Sequence, residues 1–417
     1  MKIGMCAAVL LSLGVLAWSP PASDTWTEFR GPGGTGHAEG TGLPHDWSET
    51  QNIAWKTAIH GKGYSSPVIW GKQIWLTTGT PEGKELSVVC VDKESGKLLV
   101  DHKMFDVAKP DPLWQQYNSY ASPSPVIEEG RVYVHFGCYG TACLDTKAGK
   151  VVWARNDLAC NHWRGAGSSP ILFQTLLLVH FDGYDVQYAV ALDKKSGKTV
   201  WKADRTHDKE TTNGDERKGF TTPTIIEVAG KPQVISVASK GVLSLDPLTG
   251  KEIWRVKLPG HSPACRPIFG NGLVYVTIGA GGEIQAIRPD GTGDVTATHV
   301  AWKAKGAGHK PSPLLVDDLI YLVSDNGAAT CLDAKTGQQV WQQRVGKAFS
   351  ASPLFADGAV YFFADDGSAA VVQAGREYKE LGKGQLDGGK FFKATPAIVG
   401  SAIFLRTDTH LYRIEKK

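Results

Sequence analysis

A basic residue, in most copies beside an aromatic ring, recurs just ahead of a small residue and a proline. The phrase reads GKGYSSP at Gly61–Pro67, RKGFTTP at Arg217–Pro223, GHKPSP at Gly308–Pro313, GKAFSASP at Gly346–Pro353 and GKFFKATP at Gly389–Pro396. Lysine and arginine bind carboxylate, sulfate or phosphate, and aromatic faces accept flat or sugar-like surfaces. Gathered in one place, such residues would bind an anion or a protein surface. The phrases supply Lys62, Tyr64, Lys218, Phe220, His309, Lys310, Lys347, Phe349, Lys390, Phe391 and Lys393. Three related stretches, QYNSYAS (Gln116–Ser122), CNHWRGAGSS (Cys160–Ser169) and HSPACR (His261–Arg266), add Tyr117, Asn118, His162, Trp163, Arg164, His261 and Arg266. Acidic residues are nearly absent from these segments, so a cationic, aromatic ring is expected.

Catalytic groups are harder to find. Asp182 with Asp185, in FDGYD, and Asp365 with Asp366, in ADDG, could serve as acid–base pairs on a sugar. Hairpin-turn chemistry explains them more simply. The glycine-rich GAGGE at Gly279–Glu283 opens no helix and does not read as a phosphate loop. No C-x-x-C-H haem motif is present.

The elements that must position these residues come from a repeat. Eight copies begin at Ser66-Pro67, Ser124-Pro125, Ser169-Pro170, Thr222-Pro223, Arg266-Pro267, Ser312-Pro313, Ser352-Pro353 and Thr395-Pro396. Their spacing of about 40 to 58 residues is that of propellers and solenoids. Each copy reads as four strands. In the sixth these are SPLLV, LIYLVS, AATCLD and QQVWQQRV, with Asn326-Gly327 marking a hairpin. Trp153, Trp201, Trp254, Trp302 and Trp341 fall on the fourth strand, where an indole can pack between neighbouring sheets. Asp145, Asp193, Asp246 and Asp333 precede the last turn, where a lone carboxylate is suited to accept backbone N–H bonds and not to hold calcium. The eighth copy ends at Lys417 after three strands, and its missing fourth lies in Asn52–Ile59, with Trp55 in register. Pairing that segment into the last sheet closes a ring and removes exposed edges. The expectation is an all-β, eight-bladed propeller over residues 52–417, with an extension over 24–51. The basic phrases lie on links between the outermost strand of one blade and the innermost of the next. They therefore ring one mouth of the central channel.

The repeated CLDTKAGKVVW, ALDKKSGKTVW, SLDPLTGKEIW and CLDAKTGQQVW resemble the signature of the PQQ-like β-propeller repeat family, over nearly all of residues 52–417. The family includes quinoprotein alcohol dehydrogenases, which bind pyrroloquinoline quinone (PQQ) and calcium, and BamB, a non-enzymatic scaffold of outer-membrane protein assembly. The leader WTEFRGPGGTG (Trp26–Gly36) looks like that of exported bacterial members with no assigned chemistry. The dehydrogenase branch implies adjacent cysteines and a Glu, Asn and Asp set on calcium with a second Asp as base; this chain has no Cys-Cys pair and no convincing set. No cofactor is expected, PQQ with calcium being the alternative. The resemblance implies a protein partner in the envelope, and the basic, aromatic ring an anionic small molecule or glycan. A PQQ-dependent oxidoreductase or a carbohydrate-active enzyme is the second reading.

Bulk properties agree with an exported globular protein. The 417 residues carry 45 Lys and Arg against 42 Asp and Glu, a balance that argues against a nucleic-acid partner. Lys2 and the apolar run Cys6–Trp18, followed by SPPAS, read as a signal peptide over residues 1–23, too short to span a bilayer. Cys6 opens the apolar run instead of following it, so a lipid anchor is not expected and the product is expected to be periplasmic or secreted. Cys90, Cys143 and Cys331 occupy one repeat position and read as small buried hydrophobes. A disulfide among Cys138, Cys160 and Cys265 stays open. A monomer is expected.

Overall fold

The computed structural model describes residues 24–206 and 211–417. The expected signal peptide, residues 1–23, lies outside the described residues. The chain forms eight antiparallel sheets arranged as an eight-bladed propeller. The innermost strands start one residue after each repeat proline: Val68–Trp70, Val126–Glu128, Ile171–Phe173, Thr224–Val228, Ile268–Gly270, Leu314–Val316, Leu354–Ala356 and Ala397–Val399, in blades 1 to 8. Proline suits that place because it donates no bond to a ladder that has not yet begun. The expected closure is present: Ile53–Ala58 pairs antiparallel with His410–Glu415 as the outermost strand of blade 8, with Trp55 opposite Arg413.

The hydrophobic core is divided among the gaps between blades. On the second strand of blade 2, Val132 and Val134 pack toward blade 1, and Tyr133 packs toward blade 3. Side chains alternate along a strand, so each sheet buries both faces. Cys90, Cys143 and Cys331 are fully buried in three different gaps. All six described cysteines are free thiols.

Two contacts explain the repeat. The fourth-strand tryptophan of one blade rests on the last turn of the next. Trp153 Nε1 donates to the Lys194 carbonyl at 2.9 Å, Trp201 to Pro247 at 2.9 Å, Trp302 to Ala334 at 3.1 Å and Trp341 to Gly375 at 3.1 Å. Trp55 completes the circle on Lys93 of blade 1 at 3.1 Å. Trp254 alone bonds within its own blade, to Gln233. Blade 5 replaces the usual turn with Arg288–Val300, and Gly293–Asp294 from that excursion pairs in parallel with Trp254–Arg255. The turn aspartates do the expected work: Asp145, Asp193, Asp246 and Asp333 each accept backbone N–H bonds two or three residues ahead.

The second contact is a chain of hydroxyls around the channel. The N–H of Ser66 donates to Ser124 Oγ at 2.8 Å, Ser124 to Ser169 and Ser169 to Thr222, both at 2.9 Å. It resumes with Arg266 to Ser312 at 2.9 Å, Ser312 to Ser352 at 3.0 Å and Ser352 to Thr395 at 2.9 Å. The small residue before each proline therefore ties its blade to its neighbour. At the fifth start Arg266 replaces the hydroxyl. At the seam of blades 8 and 1 the fully buried Arg406 bridges instead, donating to Ser65 and to the Thr77 carbonyl.

The leader enters the channel. Thr25–Trp26 pairs with the innermost strand of blade 1, and the Thr27 carbonyl accepts from Ile127 of blade 2 at 2.8 Å. Glu28 forms an ion pair with Arg266 of blade 5 at 2.7 Å, and Arg266 also donates to the Phe29 carbonyl at 2.7 Å. His37 meets the Leu315 carbonyl of blade 6 at 2.6 Å, and Gly36 and Ala38 bond to Phe355 of blade 7. Further along, Trp47 lies along the outer strand of blade 7 beside Gly384, one step before the closing strand.

Candidate functional site

The eight-bladed ring has two mouths. The first-to-second and third-to-fourth strand turns lie at one. At the other lie the second-to-third strand turns and the links that carry the basic phrases. The leader passes near the first, so the second opens into a blind funnel of about 640 Å³ floored by Phe29. Small-molecule sites span about 300–1,000 Å³.

Ten of the eighteen residues singled out in the sequence line this funnel: Tyr64, Tyr117, Asn118, Arg164, Lys218, Phe220, His261, His309, Lys310 and Lys393. Lys62, Lys347 and Lys390 stand around its rim; Lys347 and Lys390 are exposed, and Lys62 is half-buried. Phe391 is their hub, with Lys62 4.8 Å, Lys390 5.4 Å and Lys393 5.5 Å from its ring centre. Burial lowers the Lys62 pKa from its usual value, with Lys390 and Lys393 adding to the effect and Asp408 opposing it. Trp163 packs on Tyr184. His162 is buried behind the wall against Phe181, where burial and then Lys218 hold its pKa well below the usual value, so it is neutral.

With His162, two more of the expected ring members lie outside it. Phe349 is fully buried between blades 6 and 7. Arg266 is buried beneath the funnel, where it anchors Glu28 and Phe29 of the leader. Carboxylates are also more frequent than the link sequences suggest. Asp215, from the short helix Gly214–Arg217, pairs with Arg164 at 2.9 Å and accepts from Tyr184 at 2.8 Å. Asp365 pairs with Lys393 at 3.0 Å. Asp325 accepts the His309 N–H at 3.1 Å. The ring thus combines the ion pairs Arg164–Asp215 and Lys393–Asp365 with cations that have no ion-pair partner among the described residues.

The candidate acid–base pairs are structural. Asp182 is buried and held through both oxygens by Arg205, at 2.7 and 2.8 Å. Asp185 accepts the N–H groups of Asn161 and Val186, and Asp366 caps Ser368. The sequence reading missed Trp114, whose ring lies 4.2 Å from the Arg164 guanidinium and which is 50% exposed beside Tyr117 at 57%. It lies two residues before the quoted QYNSYAS, so its proximity to that stretch was the available signal.

A family model described as "Outer membrane protein assembly factor BamB" matches residues 50–244, 187–296 and 238–376. The chain belongs to this BamB family. Among curated BamB proteins, that of Burkholderia pseudomallei (strain K96243) is 32% identical over 112 residues, which span 27% of this chain and 28% of the relative. The solved BamB from Moraxella catarrhalis superposes with a TM-score of 0.64 at 11% identity, covering 88% of this chain and 97% of the other. A europium-containing methanol dehydrogenase gives 0.53 at 12% identity, covering 93% and 91%. At such identities the structural likeness establishes the fold, and BamB and dehydrogenase share it.

Proposed function

We propose that the protein is an exported, non-enzymatic BamB-like scaffold that works as a monomer and docks an acidic envelope protein across its mouth face. Membership of a family named for outer-membrane protein assembly supports the class of partner. No helix among the described residues is long and apolar enough to cross a membrane. The distribution of charge at the mouth carries the reading. Lys310 in the funnel and Lys62, Lys347 and Lys390 on its rim have no ion-pair partner among the described residues, and they share the mouth with the exposed rings of Trp114 and Tyr117. Interfaces use such aromatic anchors for affinity and rim charges for steering.

The engagement of the carboxylates in the funnel supports a reading without PQQ held on calcium. Asp215 and Asp325, two carboxylates that line the funnel, are engaged by Arg164, Tyr184 and the His309 N–H.

The test is co-purification of the tagged protein with an envelope complex, quantified by light scattering, for the wild type and for a Lys62→Ala, Lys347→Ala, Lys390→Ala variant. A stable complex lost in the variant is expected. Calorimetric titration with PQQ and calcium is the counter-test: tight stoichiometric binding would overturn the reading in favour of an oxidoreductase.

A further inference from the structure

Lys218 differs from every other cation of the mouth. It lines the funnel yet is 1% exposed. Its ammonium donates to the Asp182 carbonyl at 2.7 Å and meets His162 Nδ1 at 3.3 Å, which leaves one N–H without a hydrogen-bond partner among the described residues. The Phe220 ring lies 4.6 Å away. No carboxylate pairs with it among the described residues.

The groups packed around it do not compensate its charge. The Asp182 carboxylate is the nearest candidate, and Arg205 already takes both its oxygens. His162 and His135 are neutral, both pushed down by burial, His135 to about 3. Cys138 and Cys160 are thiols, pushed up by burial, Cys138 to about 11. Asp111 adds only a more distant attraction. The buried set of Lys218, Arg205 and Asp182 therefore carries one net positive charge on a wall shielded from solvent. Burying a charge without a partner is costly. A ligand that supplies the missing anion would recover that cost on binding. Four aromatic rings share the lining with Lys218: Phe220 beside it, and Trp114, Tyr117 and Phe29.

We propose that the funnel is a specific site for a carboxylate or phosphate carried on a flat or apolar body, with the anion bonded to the Lys218 ammonium and the body packed against Phe220, Trp114 and Tyr117. The site uses the buried wall and not the rim, so it stands whether or not a protein docks above it. A free small anion and the carboxyl terminus of a peptide share this chemistry.

Calorimetry and tryptophan fluorescence with four probes test it: phenyl phosphate, 3-phenylpropanoate, acetyl-phenylalanine and the amide of acetyl-phenylalanine. One saturable site is expected for the anions, with the amide at least tenfold weaker. Preference for the phosphate marks a free metabolite as the source, and preference for acetyl-phenylalanine marks a chain terminus. Lys218→Met should lose at least tenfold in anion affinity, while the triple rim variant should keep it. In the wild type, affinity should fall as pH rises from 7 to 10 and the ammonium loses its proton. Absence of saturable binding of all three anions at millimolar concentration would overturn the proposal. So would retention of anion affinity in Lys218→Met, or a flat pH profile.

Discussion

The indole of Trp153 occupies the place of a side chain on Gly197. A Cβ there would stand 2.6 Å from the ring, and the glycine has φ of +71°. The same pairing joins Trp201 to Gly250, Trp302 to Gly337 and Trp55 to Gly96. The glycine of each TGK-type turn therefore satisfies two constraints, a left-handed backbone and a neighbour's ring.

Gly197→Ala should accordingly cost about 2–4 kcal/mol, combining backbone strain with overpacking. Gly230 has φ of +74° but open space around it. Gly230→Ala should cost only the strain, about 1–2 kcal/mol. Urea denaturation of the two variants separates the terms.

The hydroxyl chain predicts a similar contrast. Ser124→Ala leaves the buried Ser66 N–H without its acceptor and should cost about 1–3 kcal/mol. Ser124→Thr should be close to neutral, because Thr222 and Thr395 make the same bond elsewhere in the ring. Thermal unfolding of the pair is the measurement.

Glu28 is the anionic partner of Arg266, and Arg30 lies fully buried nearby with its Nε and one terminal nitrogen unpaired. Burial, and then Arg266, push the Arg30 pKa down to about 9, which still leaves it charged at neutral pH. Glu28→Ala should cost about 3–5 kcal/mol by leaving the buried Arg266 guanidinium without its carboxylate, beside the equally buried Arg30. Limited proteolysis should then release the leader sooner than in the wild type.

Lys218 gives a signed pH dependence. Burial lowers its pKa from 10.5 to about 8 in the fold. Between those values the unfolded chain holds the proton and the native chain does not, so this group adds stability as pH rises, by at most about 1.4 kcal/mol per pH unit. Lys218→Met should lack that alkaline gain and, without ligand, should unfold at a higher temperature than the wild type at pH 7. A pH series of melting curves for both proteins checks the sign.

The blades were legible because their signals are local. Aspartate, glycine and tryptophan at fixed offsets each act within one turn or on the adjacent blade, so spacing alone reveals them. The missing strand of blade 8 could be found at the other end of the chain because Trp55 keeps the same offset. The funnel was only half legible. Phe349 and Phe220 sit in similar phrases, yet one turns into the gap between blades and the other into the channel, and no local pattern separates them. Asp215 pairs with Arg164 across two links, 51 residues apart. Such pairing is a property of the closed ring. The path of the leader was invisible for the same reason: Glu28, Phe29 and His37 find their partners on blades 5 and 6, more than two hundred residues away.

That path sets the order in which the molecule can be completed. The segment synthesised before all the blades is the one whose contacts need most of them in place. Until the strand His410–Glu415 exists, Ile53–Ala58 has no sheet to join, and the groups of the leader that pair with blades 5 to 7 have nothing to bond. Contacts of such long sequence separation form slowly, because loop-closure entropy is lost before they return any stabilisation. Those early segments stay without their partners until the late blades are made.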